Sequence, residues 1–186
     1  MGKMKVDKEL LKDMEDYTLF MDAAKEISTP VVISQEKPNH KSSLYVEGHV
    51  NSSHAFGNVK YGCEMRDKRE DNFSIQLTTD KFGNKVLFRI DQGNGTHRNN
   101  LPTIPLAAQS VPTPHFHRFC ERGYFYAYQT DVLKQNENMN IQDGLAAFCS
   151  EVNVKGSANN AVEIVVRQDG VLPLEEDKDP LNGINF

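Results

Sequence analysis

The chain has 186 residues, 38% hydrophobic and 25% charged, enough for one hydrophobic core and too short for two well-packed domains. Twenty-one basic against 26 acidic residues give a net charge of -5, so no global positive field draws the protein to nucleic acid, and any such contact requires a local patch. The apolar runs VLFRI, AVEIVV and LAAFC are far below the roughly 20 residues of a membrane span, which excludes one.

The N-terminus has neither an apolar h-region nor a small-residue cleavage site, which predicts a cytoplasmic protein. Three widely separated cysteines, Cys63, Cys120 and Cys149, form neither a disulfide framework nor a C-x-x-C knuckle. Between residues 7 and 27, apolar side chains recur every three or four positions, from Leu10 through Met14 and Tyr17 to Met21, which predicts one amphipathic helix capped by Asp7. Short β-type runs follow at 31–34, 44–47 and 59–65, separated by Asn, Ser and Gly. Residues 73–78 alternate apolar with polar, 80–84 supply turn chemistry and 85–91 run back, which predicts a hairpin. A proline-rich loop occupies roughly 92–114, and strand-like content lies on either side of Gly123.

Asn140, three residues before Asp143, caps a second predicted helix whose buried face is Ile141, Leu145, Phe148, Cys149 and Val152. The nearly continuous apolar run at 161–167 predicts a last, central strand. Residues 169–186 are acidic and without periodicity, and read as a surface tail to a single domain over 1–168. The sum is an α+β fold: a mostly antiparallel sheet of five to seven strands, with an N-terminal helix and a helix near the C-terminal end.

The stretch HFHRFCERGYFYAYQT is the densest polar and aromatic cluster of the chain. His115 and His117 are two apart, so on a strand both imidazoles project to one face, and His97 joins them if its segment lies alongside. Metal-free phosphodiester cleavage needs a base, an acid and donors for the phosphate. His97, His115 and His117 are the expected catalytic groups. Arg98, Arg118 and Arg122 are expected on phosphate oxygens, with Asn99, Tyr124 and Tyr126 as further substrate contacts. A zinc site would use the three histidines, or two of them with Cys120 or Glu121, but the neighbouring arginines disfavour a cation. The expectation is therefore a site without metal or other cofactor.

The order Arg89-Ile90-Asp91, Gly95, His97-Arg98-Asn99 and Pro114-His115-Phe116-His117 resembles an uncharacterised family of small bacterial and prophage proteins. In that family a strand ending in R-[LI]-D leads to a G-x-x-H-x-N loop, then to P-H-[LF]-H, an E-G-Y stretch and a helix. The resemblance extends over about residues 60–155 and takes in Glu121, Gly123 and Tyr124, although Arg122 interrupts the E-G-Y stretch and the tryptophan that follows it is missing. A second resemblance, to TumE-type toxins, small ribonucleases of toxin–antitoxin pairs, rests on a D-x-x-P-H stretch before P-H-x-H and implies RNA-directed activity.

Three functions compete at this level. One is a metal-independent nuclease or phosphodiesterase acting on RNA or a nucleotide phosphate. Another is an anti-defence or regulatory binding protein that engages a host factor through residues 101–114. The third is a zinc-binding domain.

Overall fold

The computed structural model describes residues 4–93, 95–101, 105 and 109–167. The expected acidic tail and residues 102–104 and 106–108 of the proline-rich segment lie outside the described residues.

The expected first helix is two short ones, α1 (Lys8–Lys12) and α2 (Met14–Asp22). Asp7 caps α1, accepting from the Leu10 N–H at 2.9 Å, but Asp13 leaves the helical region (φ -111°, ψ 28°) and breaks the run. The pattern continues to residue 27, yet Lys25–Ile27 is strand β1, because its backbone pairs with a distant segment. Next come β2 (Val31–Ile33), β3 (Gln35–Lys37), β4 (His40–His49) and the two-residue β5 (Asn51–Ser52). β6 (Val59–Met65) precedes the predicted hairpin, formed by β7 (Phe73–Thr79) and β8 (Val86–Asp91). Its connection closes through Gly83 in the left-handed region (φ 71°), a conformation that glycine adopts without steric cost.

The long loop contains a two-stranded ladder, β9 (His97–Arg98) against β10 (Ser110–Val111). β11 (His115–Phe119) and β12 (Phe125–Tyr128) carry the polar and aromatic cluster, followed by a single turn, α3 (Asp131–Lys134). Helix α4 (Ile141–Glu151) begins as predicted, with the Asn140 side chain accepting from the Asp143 N–H at 2.9 Å. Two short strands follow, β13 (Val154–Gly156) and β14 (Ile164–Val166).

Seven strands form one antiparallel sheet in the order β12-β11-β8-β7-β6-β4-β3. With helices at both ends of the chain this is an α+β protein, as the sequence predicts. The run at 161–167 departs from expectation: among the described residues β14 pairs with β2 alone, in parallel, and is half-exposed. Its apolar content covers a peripheral pair rather than the centre of the sheet.

Side chains alternate across a strand, so the register divides the sheet into an apolar and a polar face. Ile75 and Leu77 stand opposite Ile90 and Phe88, and all four are fully buried. Helix α4 covers this face. Phe148 lies 5.4 Å from the Phe88 ring, and Gly144 lets the helix approach so closely that a Cβ there would sit 2.1 Å from the Phe73 ring. Helix α2 is held by Tyr17, whose hydroxyl donates to the Leu87 carbonyl (3.1 Å) and accepts from the Phe119 N–H (3.0 Å), bridging β8 and β11. The opposite face presents Ser74, Gln76, Arg89, Asp91, His115 and His117, and it positions the candidate site. Among the described residues no helix is long and apolar enough to cross a membrane.

Candidate functional site

Strands β8 and β11 build the floor of the site. In their register His115 faces Asp91 and His117 faces Arg89, so four polar side chains form a block on one face. The β9–β10 ladder then lays His97 over them: Val111, paired with His97, lies four residues before His115 in the chain. The three imidazole rings meet, with centroids 4.7 Å apart for His97–His117 and His115–His117 and 5.8 Å for His97–His115.

Asp91 organises this block. Its Oδ2 lies 3.1 Å from His117 Nε2, 3.9 Å from His115 Nε2 and 2.8 Å from Arg89 Nε, and Arg66 Nη2 stands 3.9 Å from its other oxygen. Burial alone would discourage its charge. The hydrogen bond to His117 and the Arg89 charge outweigh burial and bring the carboxyl down to about 2. The imidazoles move the other way in charge. Burial and the His117 charge push His115 down to about 4; burial followed by the neighbouring His117 and Arg89 charges lowers His97. Burial lowers His117 too, against the opposing pull of Asp91. At neutral pH the site therefore holds three neutral imidazoles, one carboxylate and two guanidinium groups.

His115 Nδ1 lies 3.1 Å from the Pro112 carbonyl, which can only accept, so the proton sits on Nδ1 and Nε2 carries the lone pair. His117 turns Nε2 toward Asp91 at 3.1 Å, with Arg89 Nη2 3.3 Å from the same nitrogen, while its Nδ1 is buried without a hydrogen-bond partner among the described residues. Phe125 stacks on the His117 ring at 5.4 Å and closes that side. A hollow of about 230 Å³ opens above the block, lined by Arg66, Arg89, Asp91, Thr96, His97 and His115. One ligand atom from each histidine can be chosen so that all three lie within 4.8 Å of one another.

The structure thus joins His97, His115 and His117 but disperses the residues expected to bind substrate. Arg118 follows His117 and points to the other face, where its Nε donates to the Tyr126 hydroxyl at 3.1 Å and its guanidinium covers Tyr128. Arg118, Arg122 and Tyr126 line a separate hollow of about 440 Å³ with Met14, Tyr17 and Met21. Cys120 and Glu121 line that second hollow as well, so neither joins the histidines as a ligand. Tyr124, just before β12 begins, bridges to Val6, with Arg122 over its ring. The reasons are local: period-two alternation inverts odd and even positions of β11, and the turn after Cys120 carries Arg122 away.

Asn99 is also structural. Its Nδ2 donates to the Ala127 carbonyl (2.7 Å) and its Oδ1 accepts from the Ala127 N–H (2.8 Å), so both halves of the amide serve the backbone of β12. Arg98 lies on the exposed side of β9 and does not line the histidine hollow.

The arginines that do line it, Arg66 and Arg89, were absent from the expected site, as was Asp91. Arg89 and Asp91 carry a readable signal: two apart on a predicted strand, they share a face as His115 and His117 do. Arg66 has none, since only the sheet brings it near.

No curated protein and no solved structure matches the chain. A family model does match residues 13–154, a span that contains β8, β11, the β9–β10 ladder and every residue of the histidine hollow, so the chain belongs to the family of unknown function DUF6978.

Proposed function

We propose that the protein is a phosphodiesterase, with RNA or a nucleotide as substrate and the histidine hollow as its active site. The observation that carries this reading is the placement of two neutral imidazoles, His97 and His115, and two guanidinium groups around one opening to solvent, with the buried His117 ring packed against both imidazoles. Arg66 and Arg89 supply planar donors suited to phosphate oxygens, and among the described residues lining the hollow one carboxylate, Asp91, offsets their charge. The neutral rings offer the lone pairs through which the attacking water or hydroxyl is activated. Depressed ring pKa values leave little imidazolium at neutral pH, so a protonated histidine is not the acid for the leaving oxygen. In this respect the reading departs from a histidine acid–base pair. The resemblance to TumE-type toxins favours RNA within the phosphodiester class.

The test is turnover of labelled RNA and of an activated phosphodiester by wild type, His97→Ala and Arg89→Gln, with Lys155→Ala, an exposed position on β13, as control. Loss of at least 100-fold in the first two with an unchanged control is expected, the size of a lost activating or oxyanion-stabilising group. Wild type that cleaves no phosphodiester, with or without added divalent metal, refutes the proposal.

A further inference from the structure

We propose that His97, His115 and His117 together bind one divalent transition-metal ion. The inference deepens the phosphodiesterase reading, because it assigns the activating agent of the same hollow.

Three imidazoles with ligand atoms within 4.8 Å of one another, two of them on buried residues, match the ligand set of a catalytic zinc site: three protein nitrogens and an open position. Nitrogens at about 2.0–2.1 Å from a tetrahedral ion lie about 3.4 Å apart, so the widest pair must close by roughly 1.4 Å. His97 sits on the two-residue β9 and is half-buried, and it is the ring with room to make that movement.

The surroundings carry the argument beyond proximity. A metal-binding histidine usually gives its other ring nitrogen to a carbonyl or carboxylate, which fixes the ring and its tautomer. His115 has such a partner in the Pro112 carbonyl, and His117 has one in Asp91. The second nitrogen of His117 is buried and unpaired among the described residues, an unfavourable state unless something fills it. His117 is 1% exposed and His115 3%, so neither ring is there for its contact with water.

The cations expected to repel a metal, Arg98, Arg118 and Arg122, do not line this hollow. Arg89 does, but its Nε lies 2.8 Å from the Asp91 carboxylate, which offsets its charge. The ion and Arg66 then favour an anion at the open position, as a phosphodiester requires. Water on such an ion ionises near neutral pH. Its oxygen forms the new P–O bond as the ester P–O bond breaks, its proton passes to solvent, and the leaving oxygen takes a proton from solvent.

The experiment uses the full chain, stripped by chelator and titrated with Zn²⁺ by calorimetry and with Co²⁺ by visible absorption. One equivalent should bind, with Co²⁺ bands typical of low coordination number. His97→Ala should weaken binding at least 100-fold, and Asp91→Asn, which withdraws the carboxylate beside His117 and Arg89, by about 10–100-fold. His54→Ala, exposed and in contact with its chain neighbours Ser53 and Phe56, should bind as wild type. Far-ultraviolet circular dichroism verifies that each variant is folded; should Asp91→Asn fail to fold, His97→Ala decides alone. Absence of stoichiometric binding, or equal binding by His97→Ala and wild type, overturns the metal site. Metal binding without phosphodiester turnover would retain the site and remove the enzyme reading, whereas turnover in EDTA by metal-free protein would do the reverse.

Discussion

Asn99 offers the sharpest test of how the site is held together. Its amide substitutes for a neighbouring strand at the outer edge of β12, using both its donor and its acceptor on Ala127, and both residues are 2% exposed. Ala127 pairs with His117 in the β11–β12 ladder, while Asn99 lies two residues from His97, so one side chain ties the loop histidine to the sheet histidines. Replacing Asn99 with Ala removes two buried hydrogen bonds, worth about 1 kcal/mol each, and leaves an N–H and a carbonyl unpaired. The expected cost is about 3 kcal/mol, or a fall in melting temperature of roughly 6–12 °C for a chain of this size.

Asn99→Asp is the finer probe. It keeps the acceptor for the Ala127 N–H but sets an ionised oxygen against the Ala127 carbonyl. The protonated acid can donate there and the carboxylate cannot, so burial raises the pKa of the new group above its unfolded value. Stability is then greatest at acid pH and is lost as pH rises through that raised pKa. Urea titrations followed by circular dichroism at pH 5 and pH 7.5 measure both effects. A cost below about 0.5 kcal/mol for Asn99→Ala, or an Asn99→Asp variant no less stable at pH 7.5 than at pH 5 relative to wild type, would refute the positioning role.

Gly144→Ala reverses the usual sign of a helical glycine substitution. Elsewhere it would gain up to about 1 kcal/mol, but here the new methyl meets the fully buried Phe73 ring, and thermal melts should show a loss of about 1–3 kcal/mol. His115 titrates near 4 in the folded chain and near its ordinary value when unfolded, so between those values the unfolded state binds more protons. The stability this contributes is complete above about 6.5 and is lost as pH falls toward 4, a change of roughly 3 kcal/mol. Denaturant midpoints across that range should fall less steeply in metal-free His115→Asn than in metal-free wild type. Lys25 is 3% exposed and donates to the carbonyls of Met21, Ala23 and Val152, joining the ends of α2 and α4. Lys25→Met should cost about 2–4 kcal/mol by urea titration, since three carbonyls lose their donor.

Local chemistry made much of this protein legible in its sequence. The 73–91 hairpin, the Asp7 and Asn140 caps and the buried face of α4 follow from alternation, turn residues and capping, all of which act within a few positions of the chain. The pairing of His115 with His117 was equally legible, because a strand places i and i+2 on one face whatever surrounds it. The tertiary structure decided what local rules cannot reach. Residues 25–27 continue a helical pattern, yet become β1 through pairing with Val154–Gly156, and the apolar run at 161–167 lies at the periphery because β2 is its partner. Proximity in sequence assigned Arg118, Arg122 and Tyr126 to the histidines, but odd and even positions of a strand face opposite ways. Asp91, Arg89 and Arg66 entered the site instead, since antiparallel register, not distance along the chain, determines which side chains stand opposite one another.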